Sequence, residues 1–248
     1  MTRTRRARLV APLLVLLVLL ATAGVAAAHP LGNFTISRYS AITLSHGAAD
    51  VHYIIDMAEI PTFQERQTMD ADADGAISAA EEAAYLAAAV PALAANLHLT
   101  AAGQALPLTP QRQTLAFPPG QGDLPTLRLE VWLSAPLPAA GGALDLTYED
   151  GNYPDRLGWR EVVLNAAEGS LLASSVPATG RSDELRAYPA DLLQAPAAVT
   201  RAEARYAMAG APGAAAGAPA GAAQTATAGA AAAAPRIGQG KLADLLQR

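Results

Sequence analysis

Residues Asp70 to Glu81 read D-A-D-A-D-G-A-I-S-A-A-E, a run whose side chains are those a hard divalent cation requires. Calcium takes about six to eight oxygen ligands, and a twelve-residue loop can supply them from fixed positions. Asp70, Asp72 and Asp74 fill positions 1, 3 and 5. Gly75 fills position 6, where the chain turns sharply and a side chain is disfavoured. Ala76 offers its backbone carbonyl from position 7, and Ser78 at position 9 can hold a bridging water. Glu81 at position 12 can give both carboxylate oxygens, and Ile77 is the apolar anchor of the loop. The competing reading is a solvated acidic loop. An ungapped match at every specified position favours Ca2+. Four carboxylates against one divalent ion leave an excess of negative charge, and extracytoplasmic modules bind calcium at about 10⁻⁴ to 10⁻³ M. The expectation is a weak, structural site that orders residues 60–90.

Such a loop has to be carried between two helices, and an EF-hand helix-loop-helix is expected over residues 60–91. Ala79 to Val90 is alanine-rich, and Pro91 is expected to end it. Pro61 to Met69 opens on a proline suited to a first helical turn, with only Phe63 and Met69 as apolar residues. Asp150 to Glu161 is the one other stretch worth testing as a loop of this kind. Asn152 and Leu157 fit the pattern, but Pro154 at position 5 and Asp155 at the glycine position do not. It reads as a loop between strands. A single motif argues against a paired switch that opens a groove.

The rest of the chain alternates with period two. Leu127, Leu129, Val131 and Leu133 form one series, and Leu144, Leu146 and Tyr148 another. Val51, Tyr53 and Ile55 form a third, and Phe34 with Ile36 a fourth. Gly141-Gly142, Pro118-Pro119-Gly120 and Ala102-Gly103-Gln104 are the turns between them. The fold class expected is mainly β, an antiparallel β-sandwich over residues 29–207. The helix-loop-helix is inserted between a strand ending near Asp56 and one around Leu97 to Thr100. Ser182 to Leu193 reads as a short segment capped by Ser182, with Leu185 and Tyr188 on one face. Residues 208–236 form an Ala/Gly/Pro-rich linker, and 237–248 a short amphipathic tail.

The first 28 residues carry Arg3, Arg5, Arg6 and Arg8, then an apolar stretch from Leu9, then small residues ending in Ala26-Ala27-Ala28. This is a secretory signal pattern, with cleavage expected after Ala28, and a retained anchor as the alternative. The chain carries a net charge of −5. Removing the signal takes away four of its 17 basic residues and none of its 22 acids, which leaves −9. That balance disfavours nucleic acid and anionic lipid as partners. There is no cysteine, so no disulfide supports the fold. No stretch after the signal approaches the roughly 20 apolar residues that span a bilayer.

Four stretches together resemble the extracytoplasmic amino-terminal region of bacterial nickel/cobalt permeases. They are His29-Pro30-Leu31-Gly32-Asn33-Phe34-Thr35, Asp56 to Glu65 (DMAEIPTFQE), Arg156 to Glu161 (RLGWRE) and Asp183 to Pro189 (DELRAYP). In that family the region precedes a bundle of membrane helices whose histidines and acids handle the metal. The resemblance therefore implies the outer domain of a truncated or split permease, or a free-standing relative, with a membrane permease subunit as its partner.

The leading expectation is an exported calcium-binding module that is not an enzyme. One alternative is a calcium-stabilised extracytoplasmic enzyme, although no G-x-S-x-G, H-E-x-x-H or thiol is present. Asp56 and Glu59 form a possible carboxylate pair there, but a strand-end role fits them better. Arg160 and Glu161 beside Trp159 read as a sheet-edge ion pair. The other alternative is a nickel or cobalt metallochaperone, in which His29, as a new amino terminus, chelates a transition metal with its amine and imidazole.

Overall fold

The structure, a computed structural model, describes residues 31–139, 142–188 and 197–208. The signal with His29, the 208–236 linker beyond Met208 and the 237–248 tail lie outside the described residues.

Among the described residues, ten strands and two α-helices make up the body. The strands are β1 (Ile36–Ser45), β2 (Ala48–Met57), β3 (Leu97–Ala101), β4 (Gln104–Leu106) and β5 (Thr109–Ala116). They continue with β6 (Leu127–Pro136), β7 (Ala143–Asp150), β8 (Arg160–Ala166), β9 (Ser170–Ser174) and β10 (Arg201–Ala207). Helices α1 (Glu59–Met69) and α2 (Ala79–Ala95) both lie between β2 and β3, where the insertion was expected.

Two five-stranded sheets form, ordered β5-β6-β2-β1-β8 and β4-β3-β7-β10-β9. Alternation along β6 buries Leu127, Leu129, Val131 and Leu133, and along β7 it buries Leu144, Leu146 and Tyr148. These pack with Ile42, Leu44, Val51, Tyr53 and Ile55 into one core, giving a β-sandwich. Tight turns set the registers. Ala102 and Gly103 both have positive φ, 50° and 78°, which suits a two-residue hairpin between β3 and β4.

The pairing is antiparallel as expected, save that β1 and β8 run parallel with Arg38 opposite Arg160. Two expectations need correction. Phe34 precedes β1 and is 69% exposed, because Asn33 and Thr35 instead give their carbonyls to the Ile60 and Ala58 amides. Pro91 does not end α2, which runs four residues further. Burial of Val90 and Leu93 and the bond from Asn152 Nδ2 to the Leu93 carbonyl (3.1 Å) hold the extra turn against the lost backbone bond. As far as it is described, the segment from Ser182 is capped as expected: the Leu185 amide donates to the Ser182 hydroxyl at 3.1 Å, and Leu185 and Tyr188 pack on one cluster. Asp183, Glu184 and Leu185 are all left-handed, with φ of 46°, 55° and 65°, each at a cost of about 1–2 kcal/mol.

A second, smaller cluster explains that turn. Tyr39, Ile54, Trp159, Val163 and Leu185 pack on the outer face of the first sheet, with Leu31 and Tyr188 against them. The 180–188 segment thus works as a strap over that face.

Candidate metal centre

Local chemistry folds the 70–81 loop. Ser78 caps α2 and forms a capping box with Glu81: its hydroxyl accepts from the Glu81 amide while Glu81 accepts from the Ser78 amide. Upstream, α1 ends at Met69, which is buried in the core, and Ile77 packs against the same core. The loop is therefore pinned at both ends. Between them Ala73 and Gly75 take positive φ, 59° and 84°, a tight curl for which glycine carries no steric cost.

This curl brings Asp70, Asp72 and Asp74 together, with one carboxylate oxygen of each within 4.8 Å of the others. Asp70 is half-buried; Asp72 and Asp74 are exposed. Asp70 accepts from the Asp74 amide (3.1 Å) and the Gly75 amide (2.9 Å), and Asp74 accepts from the Ala76 amide (2.8 Å). Glu81 does not join the three aspartates. One of its oxygens accepts from the Ser78 amide and hydroxyl, and the other from the amides of Ala71 (2.7 Å) and Asp72. Hydrogen bonds from Ser78, backbone first and then side chain, and from Ala71 hold this carboxyl below its ordinary range. It staples the last position of the loop to the second and third. Ala76 and Ser78 lie on the same curl, Ser78 through its cap and Ala76 through its backbone.

Two further contacts tie the flanking helices to each other and to the body. Tyr85 on α2 donates to Glu65 on α1 (3.0 Å), and the Arg66 guanidinium sits over the Phe117 ring at 5.3 Å. Sequence reasoning missed both, because neither pair has a spacing that marks it.

The described parts of three of the stretches singled out in the sequence converge on the fourth, which forms the strap. Tyr188 Oη donates to Asp56 (3.2 Å) and packs edge-on to Trp159. Trp159 Nε1 donates to Glu161 (3.0 Å), which also accepts from the amides of Arg181 and Ser182 and from the Ser182 hydroxyl. Glu161 is thus buried under the strap and is not the sheet-edge partner of Arg160. The Arg160 guanidinium goes instead to the carbonyls of Pro154 and Arg156. Asp56 and Glu59 do not act as a pair either. Glu59 is buried and accepts from the Gln121 amide (2.8 Å), away from the Tyr188 bond to Asp56.

Beyond the strap, Arg112, Trp132 and His52 line up across β5, β6 and β2. The Arg112 guanidinium lies 3.4 Å from the Trp132 ring centroid, and His52 stacks on the same indole at 4.4 Å. His52 Nε2 lies 2.9 Å from Glu130, which also accepts from Arg128 Nε at 2.7 Å. Burial alone would raise the Glu130 carboxyl, but the bonds to Arg128 and His52 outweigh it and lower it.

Among the described residues no helix is long and apolar enough to cross a membrane. Comparison of the chain with protein-family models and with curated proteins finds no match.

Proposed function

We propose that the 70–81 loop binds Ca2+ through Asp70, Asp72 and Asp74, the Ala76 carbonyl, a water on Ser78 and Glu81. The observation that supports this most is the convergence of three aspartate side chains on a curl with positive φ at Ala73 and Gly75. Glu81 takes part by exchanging its bonds to Ala71 and Asp72 for the ion, at modest cost because these groups are exposed. The ion then serves structurally. It cancels repulsion among the acids and stiffens the link between α1 and α2.

On this reading the protein is an exported calcium-binding β-sandwich that acts as a binding or accessory module and performs no catalysis. Its partner is a membrane permease subunit, a role supported by the convergence of the permease-like stretches on one strap. Calorimetry on the exported form with Ca2+, Mg2+ and Ni2+ tests the metal. Ca2+ is expected to bind most tightly, with Mg2+ weak because the loop supplies many oxygens in a flexible frame. Equal heats for Ca2+ and Mg2+, or no heat from either at millimolar ion, would overturn the reading.

A further inference from the structure

The left-handed turn at 183–185 is built from three residues with side chains, none of them glycine. Its anchors on the Trp159 side are permanent: the Glu161 carboxylate takes the Ser182 hydroxyl, and Leu185 packs in the outer cluster. On the opposite side the anchors are polar. Arg128 Nη1 donates to the Glu184 carbonyl at 2.9 Å, and Arg186 pairs with Glu184 and approaches Glu130 at 3.8 Å.

His52 stands between these groups with a carboxylate at each ring nitrogen. Nε2 lies 2.9 Å from Glu130 on β6, and Nδ1 lies 3.9 Å from Glu184 on the strap. A neutral imidazole has one N–H and one lone pair, so it directs a lone pair at one carboxylate or the other. Only the imidazolium presents an N–H to both. The short Nε2 contact claims the proton when there is only one, which leaves the Nδ1 lone pair facing Glu184.

We propose that His52 is a pH-sensitive clasp, which holds the 182–188 strap on the first sheet when protonated and loosens it when neutral. Imidazoles change charge between about pH 5 and 8, and the protonated form is the one that closes the strap. Stability of the strap is therefore present at the acidic end of that window and falls as the pH rises. The charged and titratable groups around His52 are Asp50 and Asp56 on its own strand, Arg128 and Glu130 on β6, and Arg112 beyond Trp132. From the strap come Asp183, Glu184, Arg186 and Tyr188, and from β1 comes Tyr39. Among these, Asp50 accepts from Ser134, Asp56 from Tyr188 and Glu130 from Arg128.

Amide hydrogen exchange on the full chain, corrected for intrinsic rates, tests the clasp. Between about pH 5.5 and about pH 8, protection of the Leu185, Arg186 and Ala187 amides is expected to fall about threefold or more relative to amides of β1 and β2. In H52Q, which can still donate to Glu130 but cannot ionise, that pH dependence is expected to vanish. In E184Q, a change at a partly exposed side chain, it is expected to shrink similarly, so the clasp is decided even if H52Q folds poorly. A pH-independent strap in the native chain, or an undiminished slope in E184Q or in folded H52Q, overturns the proposal.

Discussion

Arg38 Nε lies 2.7 Å from Asp150 Oδ2 inside the sandwich, with both side chains almost wholly excluded from solvent. Tyr53 Oη and the Asn152 amide also donate to Asp150, and Arg38 Nη1 donates to the Tyr153 carbonyl. The pair joins β1 of one sheet to the end of β7 in the other. Burial, with the nearby Asp150 charge, pushes the Tyr53 phenol well above its ordinary value, so it donates throughout the physiological range. Removing one partner strands a buried charge. Arg38→Met is expected to cost about 3–5 kcal/mol in urea denaturation, and pairing it with Asp150→Leu is expected to recover part of the loss.

Calcium should act on stability by mass action. With a dissociation constant near 1 mM, about 10 mM Ca2+ stabilises the folded chain by about 1.4 kcal/mol. The melting temperature is expected to rise by a few degrees, and the rise to disappear in Asp72→Asn and Glu81→Gln. Thermal scans with and without chelator check both.

Glu161 meets four donors, and a glutamine would turn an amide N–H2 towards one or more of them. Glu161→Gln is expected to cost about 2 kcal/mol. Denaturant unfolding followed by Trp159 emission measures the loss.

Gly158 has φ of 150°, and a side chain there would come within 2.3 Å of the Ile36 carbonyl oxygen. Gly158→Ala is expected to destabilise by about 3 kcal/mol, because the clash is with backbone that cannot swing aside. Gly142, with open space around it, is the control: alanine there should change stability by less than about 0.5 kcal/mol.

Burial, and then the charge of Glu161, pushes the Tyr39 phenol up to about 12. The folded state therefore favours the neutral phenol. Its contribution is intact below the unfolded value of about 10 and is lost as the pH rises from there through the folded value. Tyr39→Phe should move the alkaline unfolding midpoint upwards by about 0.3 pH unit, read by circular dichroism.

The cluster of Asp70, Asp72 and Asp74 was legible because its members fall within five consecutive residues, so no tertiary knowledge is needed to assemble them. β2, β6 and β7 were legible because each has one buried face. β8 was not, since Val162 and Val163 are both buried, one under each face of the first sheet, and its alternation is erased. β10 alternates Ala202 and Ala204 with Glu203 and Arg205, and alanine gives too little contrast to declare a strand. The His52 cluster could not be read in advance either. Its members come from β2, β5, β6 and the strap, and only the register Arg112-Trp132-His52 places them side by side.

The order of strands has a consequence for how the chain is born. β10, the last described strand, is an interior strand between β7 and β9, and β8 completes the other sheet by pairing with β1 across more than a hundred residues. The first layer therefore waits for the chain to reach Ala166, and the second for it to reach Ala207. Such distant pairings place assembly among slow events of milliseconds to seconds, and a fragment stopped before Arg201 would expose the naked rims of β7 and β9 to any neighbouring strand.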